Sequence, residues 1–214
     1  MTVENKETKM YIIPDIGPVK PKRLYSAVKR FFDFILSLLG LILTSIPMLI
    51  IALLIYMDSR GTVLYRQERL GKDGKPFTMY KFRTMFPDAE RDGPQWADRI
   101  DHRCTRVGRV LRKTRLDELP QLMNILKGDM SIVGPRPERA YFYDRFETYI
   151  QGFSQRMKVI PGLTGWAQVN GGYDLPPEEK IIYDMEYIEK RSLLMDLKCI
   201  FMTVRILFTG KGAR

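Results

Sequence analysis

Two adjacent carboxylates, Asp117 and Glu118, stand at the start of a predicted helix and are the strongest candidates for chemistry in this sequence. Thr114 precedes Asp117 by three residues, as in a capping box, Pro120 suits a first helical turn, and an apolar series continues to Gly128. A helix N-terminus has free N–H groups and a partial positive charge, which favour carboxylates and attract phosphate. Because adjacent residues diverge by about 100° around the helix axis, one carboxylate can face a substrate while the other orients or deprotonates a second group.

Cationic side chains lie on both sides of this pair in the sequence. Three arginines recur at every third position before it: Arg106, Arg109 and Arg112. Arg136 follows it between Pro135 and Pro137, and prolines on both sides of an arginine restrict the direction of its guanidinium. Anionic groups are the natural ligands of such a cluster. A capped helix with a solvated basic face explains the same residues without any chemistry.

A β-hairpin is predicted from residue 62 to residue 82, and its second strand adds two cations. Residues 62–67 and 76–82 alternate or are apolar and aromatic, and a Gly-Lys-Asp-Gly loop lies between them. Lys81 and Arg83 share one face of the second strand, whereas Phe82 faces the other way. The two cations can hold phosphate, although solvated edge residues are the commoner explanation.

The composition restricts the class of protein. The chain has 35 Lys+Arg against 25 Asp+Glu, a net charge of +10 and a pI of about 9.6, which suits nucleic acid, an anionic membrane or phosphorylated substrates. One histidine, His102, and two cysteines, Cys104 and Cys199, cannot build a zinc site or a disulfide framework. A reducing compartment is the simplest fit.

A long uncharged segment, residues 34–57, lies between Asp33 and Asp58 and is long enough for a membrane helix. Basic residues on both flanks mark both sides as cytoplasmic. Near the middle, Pro47 removes a backbone hydrogen bond, and the hydroxyl of Ser45 can satisfy a freed carbonyl. We therefore expect a re-entrant helix that bends at its centre and leaves on the side it entered; a straight or kinked span is the alternative.

The chain thus divides into an N-terminal arm at 1–23, a re-entrant membrane helix at 24–58 and a cytoplasmic catalytic domain at 59–214. Other predicted features are a loop at 86–103, a strand at 131–133, a helix at 140–150, a glycine-rich turn, strand and turn at 161–172, and two helices within 178–208. The last helix has a wide apolar face with Lys198 and Arg205 on its polar side, so it lies in the membrane interface or packs in the core. The fold class is α+β and mostly helical.

Six motifs in one order resemble those of the bacterial sugar transferases known as monotopic phosphoglycosyl transferases. The motifs are residues 29–34, 80–85, 116–120, 126–137 and 161–171 and the series Asp184, Tyr187, Ser192 and Asp196. The resemblance implies transfer of a sugar 1-phosphate from a UDP-sugar to undecaprenyl phosphate, the first membrane step of bacterial polysaccharide or glycoconjugate assembly. It also implies a location on the cytoplasmic face of the bacterial inner membrane.

The roles of individual residues follow from the same resemblance. Asp117 is expected to attack the β-phosphorus, release UMP and hold the phosphosugar as an acyl phosphate, while Glu118 assists the polyprenyl phosphate. Mg²⁺ is the expected cofactor, with Asp117 as its protein ligand. The residues expected to bind the substrates are Lys81, Arg83, Arg112, Pro135, Arg136 and Pro137, and the four cations among them are expected to bind the phosphates.

The sequence departs from the family at the membrane bend, where members commonly carry Ser-Pro and this chain has Ile46 between Ser45 and Pro47. The expected partners are the UDP-sugar, undecaprenyl phosphate and the lipid bilayer, without nucleic acid, and a homodimer is left open. Three alternatives remain: an inactive membrane-anchored scaffold, a basic nucleic-acid-binding protein and a polytopic transferase that uses direct attack. The long uncharged segment and the lack of a recognisable nucleic-acid module count against the second, and the single strong membrane segment counts against the third.

Overall fold

The structure, a computed structural model, describes residues 10–91, Gly93, residues 101–171 and residues 175–209. In these ranges the helices are α1 (Arg23–Asp58), α2 (Arg106–Thr114), α3 (Leu122–Lys127), α4 (Ala140–Glu147), α5 (Trp166–Gly171), α6 (Pro177–Lys190) and α7 (Leu193–Thr209). The strands are β1 (Tyr11–Ile12), β2 (Leu64–Leu70), β3 (Pro76–Phe82), β4 (Ser131–Val133), β5 (Ile150–Gln151) and β6 (Gly162–Thr164). Short 3₁₀ turns lie at Lys72–Gly74, Leu116–Gln121 and Phe153–Lys158. The described chain is therefore mostly helical, as predicted.

Pairs of strands form the sheets of the described chain. Strands β2 and β3 are antiparallel, with Leu64 opposite Phe82 and Leu70 opposite Pro76, which confirms the predicted hairpin. Its first strand begins two residues later and ends three residues later than expected. Strand β4 pairs in parallel with β6, and β1 pairs in parallel with β5. The strand at 131–133 is confirmed residue for residue.

Helix α1 is long and apolar enough to cross a membrane, and most of its large apolar side chains are exposed. It continues through Pro47 as one helix. The hydroxyl of Ser45 donates to the carbonyl of Ile42 at 2.7 Å. Pro47 has no N–H, so the carbonyl of Leu43 lacks its usual helical donor. Ser45 therefore bonds to the carbonyl one residue before the one that Pro47 frees.

The N-terminal half of α1 is fastened to the rest of the molecule by polar contacts. Lys29 pairs with Asp196 of α7 at 2.8 Å. The guanidinium of Arg30 donates to two carbonyls at the end of α3 at 2.6 and 2.7 Å, and the carboxylate of buried Asp33 accepts the N–H of Ile132 at 3.0 Å. These residues fix the direction in which α1 leaves the domain.

The C-terminal half of α1 contacts the same body through apolar packing. Ile51 and Ile55 are buried in a cluster with Phe82 of the hairpin and Leu111 of α2. Just beyond them, the carboxylate of Asp58 accepts an N–H at the start of α2 at 3.0 Å. Both halves of the apolar helix are therefore docked on one domain.

The N-terminal arm is mostly irregular where it is described, but it is docked rather than free. It adds strand β1 beside β5, and the amide oxygen of Gln155 accepts the N–H of Ile16 at 3.0 Å. Apolar side chains of the arm pack against the main core, in which Phe153, Ile181 and Ile188 are fully buried. The arm thus covers one side of the main core.

Other predicted segments differ in detail from the structure. The helix expected at 140–150 ends at Glu147, because the chain then forms β5. After β6 the chain forms the short helix α5 where a second glycine turn was expected. Part of the predicted loop, Asp92 and residues 94–100, and the glycine at 172 lie outside the described residues.

The two C-terminal helices, α6 and α7, are confirmed, with a break at residues 191–192. On α7 the apolar side chains of Leu194, Leu197 and Phe201 are exposed, whereas Asp196 and Cys199 are buried. The helix therefore packs against the domain with one face and presents apolar side chains on another.

Candidate active site

Asp117 and Glu118 lie at the beginning of the 3₁₀ turn Leu116–Gln121, here called the Asp-Glu turn. The predicted capping box is wrong, because the hydroxyl of Thr114 donates back to the carbonyl of Val110 at 2.8 Å. Arg115 adopts a left-handed conformation with φ 58° and ends α2, so the chain reverses immediately before the two acids. The acids are thus placed by a helix C-terminus and a tight turn.

The hairpin holds the elements on both sides of the Asp-Glu turn. The buried side chain of Asn124 on α3 accepts the N–H of Tyr80 at 3.1 Å and donates to the carbonyl of Thr78 at 2.7 Å. Gly108 of α2 lies so close to the hairpin end that a Cβ there would stand 1.9 Å from the carbonyl oxygen of Thr84. This close contact sets the distance between the turn and strand β3.

Glu118 is buried and held by two cations. The guanidinium of Arg136 grips its carboxylate, with one short contact to Oε1 and a second contact of 3.4 Å to Oε2. Lys81 of β3 lies 3.5 Å from Oε1. Burial opposes ionisation of this group, but the charges of Arg136 and Lys81 outweigh it and hold the pKa of Glu118 well below its usual range. Glu118 is therefore a fixed anion in this site.

Asp117 has the opposite environment, although it is the next residue. Within the described part of the chain its carboxylate forms no hydrogen bond or ion pair, and the residue is 8% exposed. Burial and the neighbouring charge of Glu118 raise the pKa of Asp117 to about 6, while Lys81, Arg136 and Arg112 partly offset them. The result is a carboxylate that is mostly ionised at neutral pH and whose oxygens are not engaged by the described protein.

The loop that carries Arg136 is packed closely against β6. The N–H of Gly162 donates to the carbonyl of Pro135 at 2.9 Å, and the Arg136 guanidinium also lies 3.4 Å from the carbonyl of Leu163. A Cβ on Gly134 would stand 2.5 Å from a backbone oxygen, so only glycine allows this approach. The predicted rigidity of the Pro-Arg-Pro segment thus comes from neighbouring strands as well as from its prolines.

Two further arginines, which the sequence did not single out, donate hydrogen bonds to backbone carbonyls of this loop. Arg69 of β2 donates to the carbonyl of Pro137 at 3.2 Å and pairs with Glu138 at 2.9 Å. Arg156 donates to the carbonyl of Arg136 at 2.9 Å. Both arginines lie in segments that contain other polar residues, and their partners are distant in sequence, so no local signal distinguished them.

The remaining predicted phosphate-binding residues have different positions. Arg112 lies near the pair, since its charge lowers the pKa of Asp117, and it donates to the sulfur of Cys104 at 3.0 Å. The buried guanidinium of Arg83 instead donates to the carbonyl of Arg60 at 2.9 Å and the hydroxyl of Ser59 at 2.8 Å, just beyond α1. The structure therefore gathers Lys81, Arg112 and Arg136 around the carboxylates and uses Arg83 at the end of the apolar helix.

The donor set fits a magnesium ion that is shared with a substrate. Among the residues described, no group of three His, Cys, Asp or Glu side chains could hold a metal alone. Mg²⁺ commonly takes only one or two carboxylates together with substrate phosphates. The carboxylate of Asp117, which the described protein leaves unbonded, suits the protein side of such a site.

Known proteins with sequences similar to this chain include three sugar-phosphate transferases. A UDP-N-acetylgalactosamine-undecaprenyl-phosphate N-acetylgalactosaminephosphotransferase of Aeromonas hydrophila is 44% identical over 93% of this chain and 48% of the relative. A UDP-glucose:undecaprenyl-phosphate glucose-1-phosphate transferase of Escherichia coli (strain K12) is 42% identical over 87% of the chain and 41% of the relative. The enzyme of that same name from Caulobacter vibrioides is 41% identical over 92% of the chain and 75% of the relative.

The chain spans less than half the length of the first two relatives. The family described as bacterial sugar transferase matches residues 24–210, which include α1, the hairpin, the Asp-Glu turn and the Pro-Arg-Pro loop. This match covers most of the chain and agrees with the resemblance found in the motifs. The chain belongs to the bacterial sugar transferase family.

Proposed function

We propose that this chain transfers a sugar 1-phosphate from a UDP-sugar to undecaprenyl phosphate through a covalent aspartyl-phosphosugar intermediate. The observation that carries the proposal is the contrast between an unbonded Asp117 and a Glu118 that is fixed by two cations. The names of the relatives, which act on UDP-sugars or on undecaprenyl phosphate, support the substrate classes. A scaffold would have no use for such a pair of carboxylates beside three cations.

In the first half-reaction, Arg136, Lys81 and Arg112 bind the diphosphate of the donor. A carboxylate oxygen of Asp117 attacks the β-phosphorus, and the bond from that phosphorus to the oxygen bridging it to the α-phosphorus breaks. UMP leaves with the electron pair of that bond, and the sugar phosphate remains on Asp117 as an acyl phosphate. Asp117 would be the protein ligand of Mg²⁺, and the ion would supply positive charge to offset the charge that develops during transfer.

In the second half-reaction, an oxygen of undecaprenyl phosphate attacks the same phosphorus and the bond to Asp117 breaks. The carboxylate of Asp117 is regenerated, and the lipid diphosphosugar leaves. Glu118 is a weak base because its pKa is low, so we assign it to holding Arg136 and Lys81 in the orientation that the phosphates require. The assistance expected of Glu118 toward the polyprenyl phosphate would then be indirect, through these two cations.

The lipid substrate requires a site at the membrane surface. The exposed apolar side chains of α1 and α7 are suited to the bilayer, and both halves of α1 dock on the catalytic domain. We therefore propose that α1 is re-entrant and that the domain lies on the cytoplasmic face of the bacterial inner membrane. The acceptor phosphate would then reach Asp117 from the headgroup layer.

The experiment that tests the function is intact-protein mass spectrometry of the purified chain with Mg²⁺ and a panel of UDP-sugars, without lipid acceptor. We expect a mass increase equal to one sugar phosphate for the correct donor, and we expect Asp117→Asn to abolish it. The relatives named for N-acetylgalactosamine and for glucose are almost equally identical to this chain, so the panel must include both donors.

The matched control is Asp144→Asn, which neutralises an exposed carboxylate on α4 and should leave the adduct unchanged. UMP release that occurs only with undecaprenyl phosphate, and without any adduct, would replace the covalent mechanism by direct transfer. No adduct and no UMP release with every donor would reject the proposed activity in favour of the scaffold.

A further inference from the structure

Arg156 and Asp184 form the most deeply buried ion pair among the residues described. Their side chains are 0% and 1% exposed, and Nε of Arg156 lies 2.7 Å from a carboxylate oxygen of Asp184. The guanidinium also lies 4.8 Å from the ring centre of Phe153 and 5.9 Å from that of Tyr143. The pair therefore has its own aromatic surroundings inside the core of the catalytic domain.

Stability is a poor explanation for this pair. One guanidinium nitrogen of Arg156 and one carboxylate oxygen of Asp184 are buried without a hydrogen-bond partner among the described residues. Buried polar atoms without partners cost free energy, and well-packed apolar side chains often replace a buried ion pair without loss of stability. A positional role explains better why charged side chains occupy this place.

The position in question is that of the Pro-Arg-Pro loop. The third guanidinium nitrogen of Arg156 donates to the carbonyl of Arg136 at 2.9 Å. The side chain of Arg136 then extends to Glu118 and the candidate phosphate site. Asp184, Arg156, Arg136 and Glu118 thus form one connected series from the core to the catalytic carboxylates.

We propose that Arg156, oriented by Asp184, is a positioning residue that fixes the backbone of Arg136 and thereby aims its guanidinium at the phosphate groups of the substrates. This inference rests on the proposed function. Arg69, which donates to the next carbonyl along the loop, that of Pro137, holds the loop at a second point. A cation that is held in place before the substrate arrives costs no reorganisation during the reaction, which is how such groups contribute to catalysis.

The test is a double variant in which the pair is replaced by apolar side chains of similar size, Arg156→Met with Asp184→Leu. Such a replacement keeps the packing but removes the donor to the carbonyl of Arg136, so the variant should fold with a melting temperature close to that of the wild type. We expect kcat/KM for adduct formation to fall by about tenfold or more, because small misplacements of binding groups have effects of this size. Wild-type kcat/KM in a folded double variant would overturn the proposal.

A double-mutant cycle shows whether the effect passes through Arg136. In an Arg136→Ala background, the same double replacement should change kcat/KM by less than about twofold, because the group that it positions is already absent. A merely structural pair would lower kcat/KM by the same factor in both backgrounds. Lys29→Met is the matched control, since it breaks another largely buried ion pair that contacts α7 rather than the loop, and it should leave the KM of the donor unchanged.

Hydrogen–deuterium exchange tests the proposal without any activity. Exchange at the amides of Gly134 and Arg136 should rise in the double variant and stay at the wild-type level in Lys29→Met. Unchanged exchange in the double variant would contradict the proposal even if the enzyme proved inactive with every donor. Failure of the proposed function, which appears in the wild type, is thus distinguished from failure of this inference.

Discussion

At the scale of single residues, the site gives different environments to two carboxylates that are adjacent in the sequence. Glu118 is fixed by Arg136 and Lys81, whereas the described protein leaves the carboxylate of Asp117 unbonded. The same cations that stabilise ionised Glu118 prevent the pKa of Asp117 from rising further. One cluster of charges therefore produces a positioned anion and, next to it, a carboxylate whose oxygens the described protein leaves unbonded.

The acid side of the pH–rate profile should report the ionisation of Asp117. Because the pKa of Asp117 is raised to about 6 and only the ionised form attacks phosphorus, kcat/KM for adduct formation should fall as the pH decreases through about 6. Glu118 titrates at much lower pH and should not contribute to this decrease. Rates of adduct formation measured from pH 4.5 to 8 would check this, and a rate that stays constant down to pH 5 would contradict it.

Two variants should move the midpoint of this acid limb of the pH–rate profile in opposite directions. The charge of Glu118 raises the pKa of Asp117, so Glu118→Gln should shift the acid limb to lower pH. The charge of Lys81 lowers that pKa, so Lys81→Met should shift the limb to higher pH, although both variants should also be slower than the wild type. The measurement is the pH dependence of the residual adduct formation, and shifts of the same sign in both variants would reject the electrostatic account.

At the scale of elements, the Asp-Glu turn is placed by α2, which meets the hairpin at Gly108. Intrinsic helix propensity favours alanine over glycine by about 1 kcal/mol, so propensity alone predicts that Gly108→Ala stabilises the protein. The added Cβ would stand 1.9 Å from the backbone oxygen of Thr84, which cannot move without disturbing the strand. We expect the steric effect to dominate and to lower the free energy of unfolding by about 1–3 kcal/mol.

The measurement for Gly108→Ala is thermal unfolding in detergent together with the rate of adduct formation, and both should decrease because the turn shifts with α2. Val110→Ala, at an exposed position of the same helix, is the control and should be nearly neutral. A Gly108→Ala protein as stable as the wild type would show that α2 can separate from the hairpin without consequence.

The elements show which parts of the fold follow from local sequence. Alternation and turn residues are local signals, so the hairpin and strand β4 could be predicted, and helical periodicity was sufficient for α6 and α7. The left-handed conformation of Arg115 could not be predicted, because a residue other than glycine adopts it only where the packing on both sides requires it. Thr114 was consequently assigned to the wrong helix.

In the candidate site, too, residue types could be predicted from the sequence, whereas tertiary positions could not. Acids and arginines with suitable spacing indicated Asp117, Glu118 and Arg136 directly. Arg83 and Arg156 were beyond local reasoning, because each donates to backbone carbonyls of a segment at least 20 residues away. Only the folded structure distinguishes an arginine that lies beside the two carboxylates from one that holds a loop.

At the scale of the whole molecule, the arrangement of α1 bears on its path through the bilayer. A straight helix of 36 residues would be about 54 Å long, whereas the apolar core of a bilayer is about 30 Å thick. Asp33 and Ile55 nevertheless both contact the catalytic domain, one through β4 and the other through the hairpin and α2. A helix that crossed the membrane would carry one of these contacts to the opposite side.

We therefore expect both ends of α1 to be labelled from the cytoplasmic side. Single cysteines at the exposed positions Ser26 and Arg66, introduced after Cys104 and Cys199 are replaced by alanine, should react with a membrane-impermeant maleimide only in inverted vesicles. Ile46→Cys, in the exposed apolar middle of α1, should resist the reagent from both sides because it lies in lipid. Labelling of the two flanks from opposite sides would establish a span, and the contacts of one half of α1 with the catalytic domain would then have to break in the membrane.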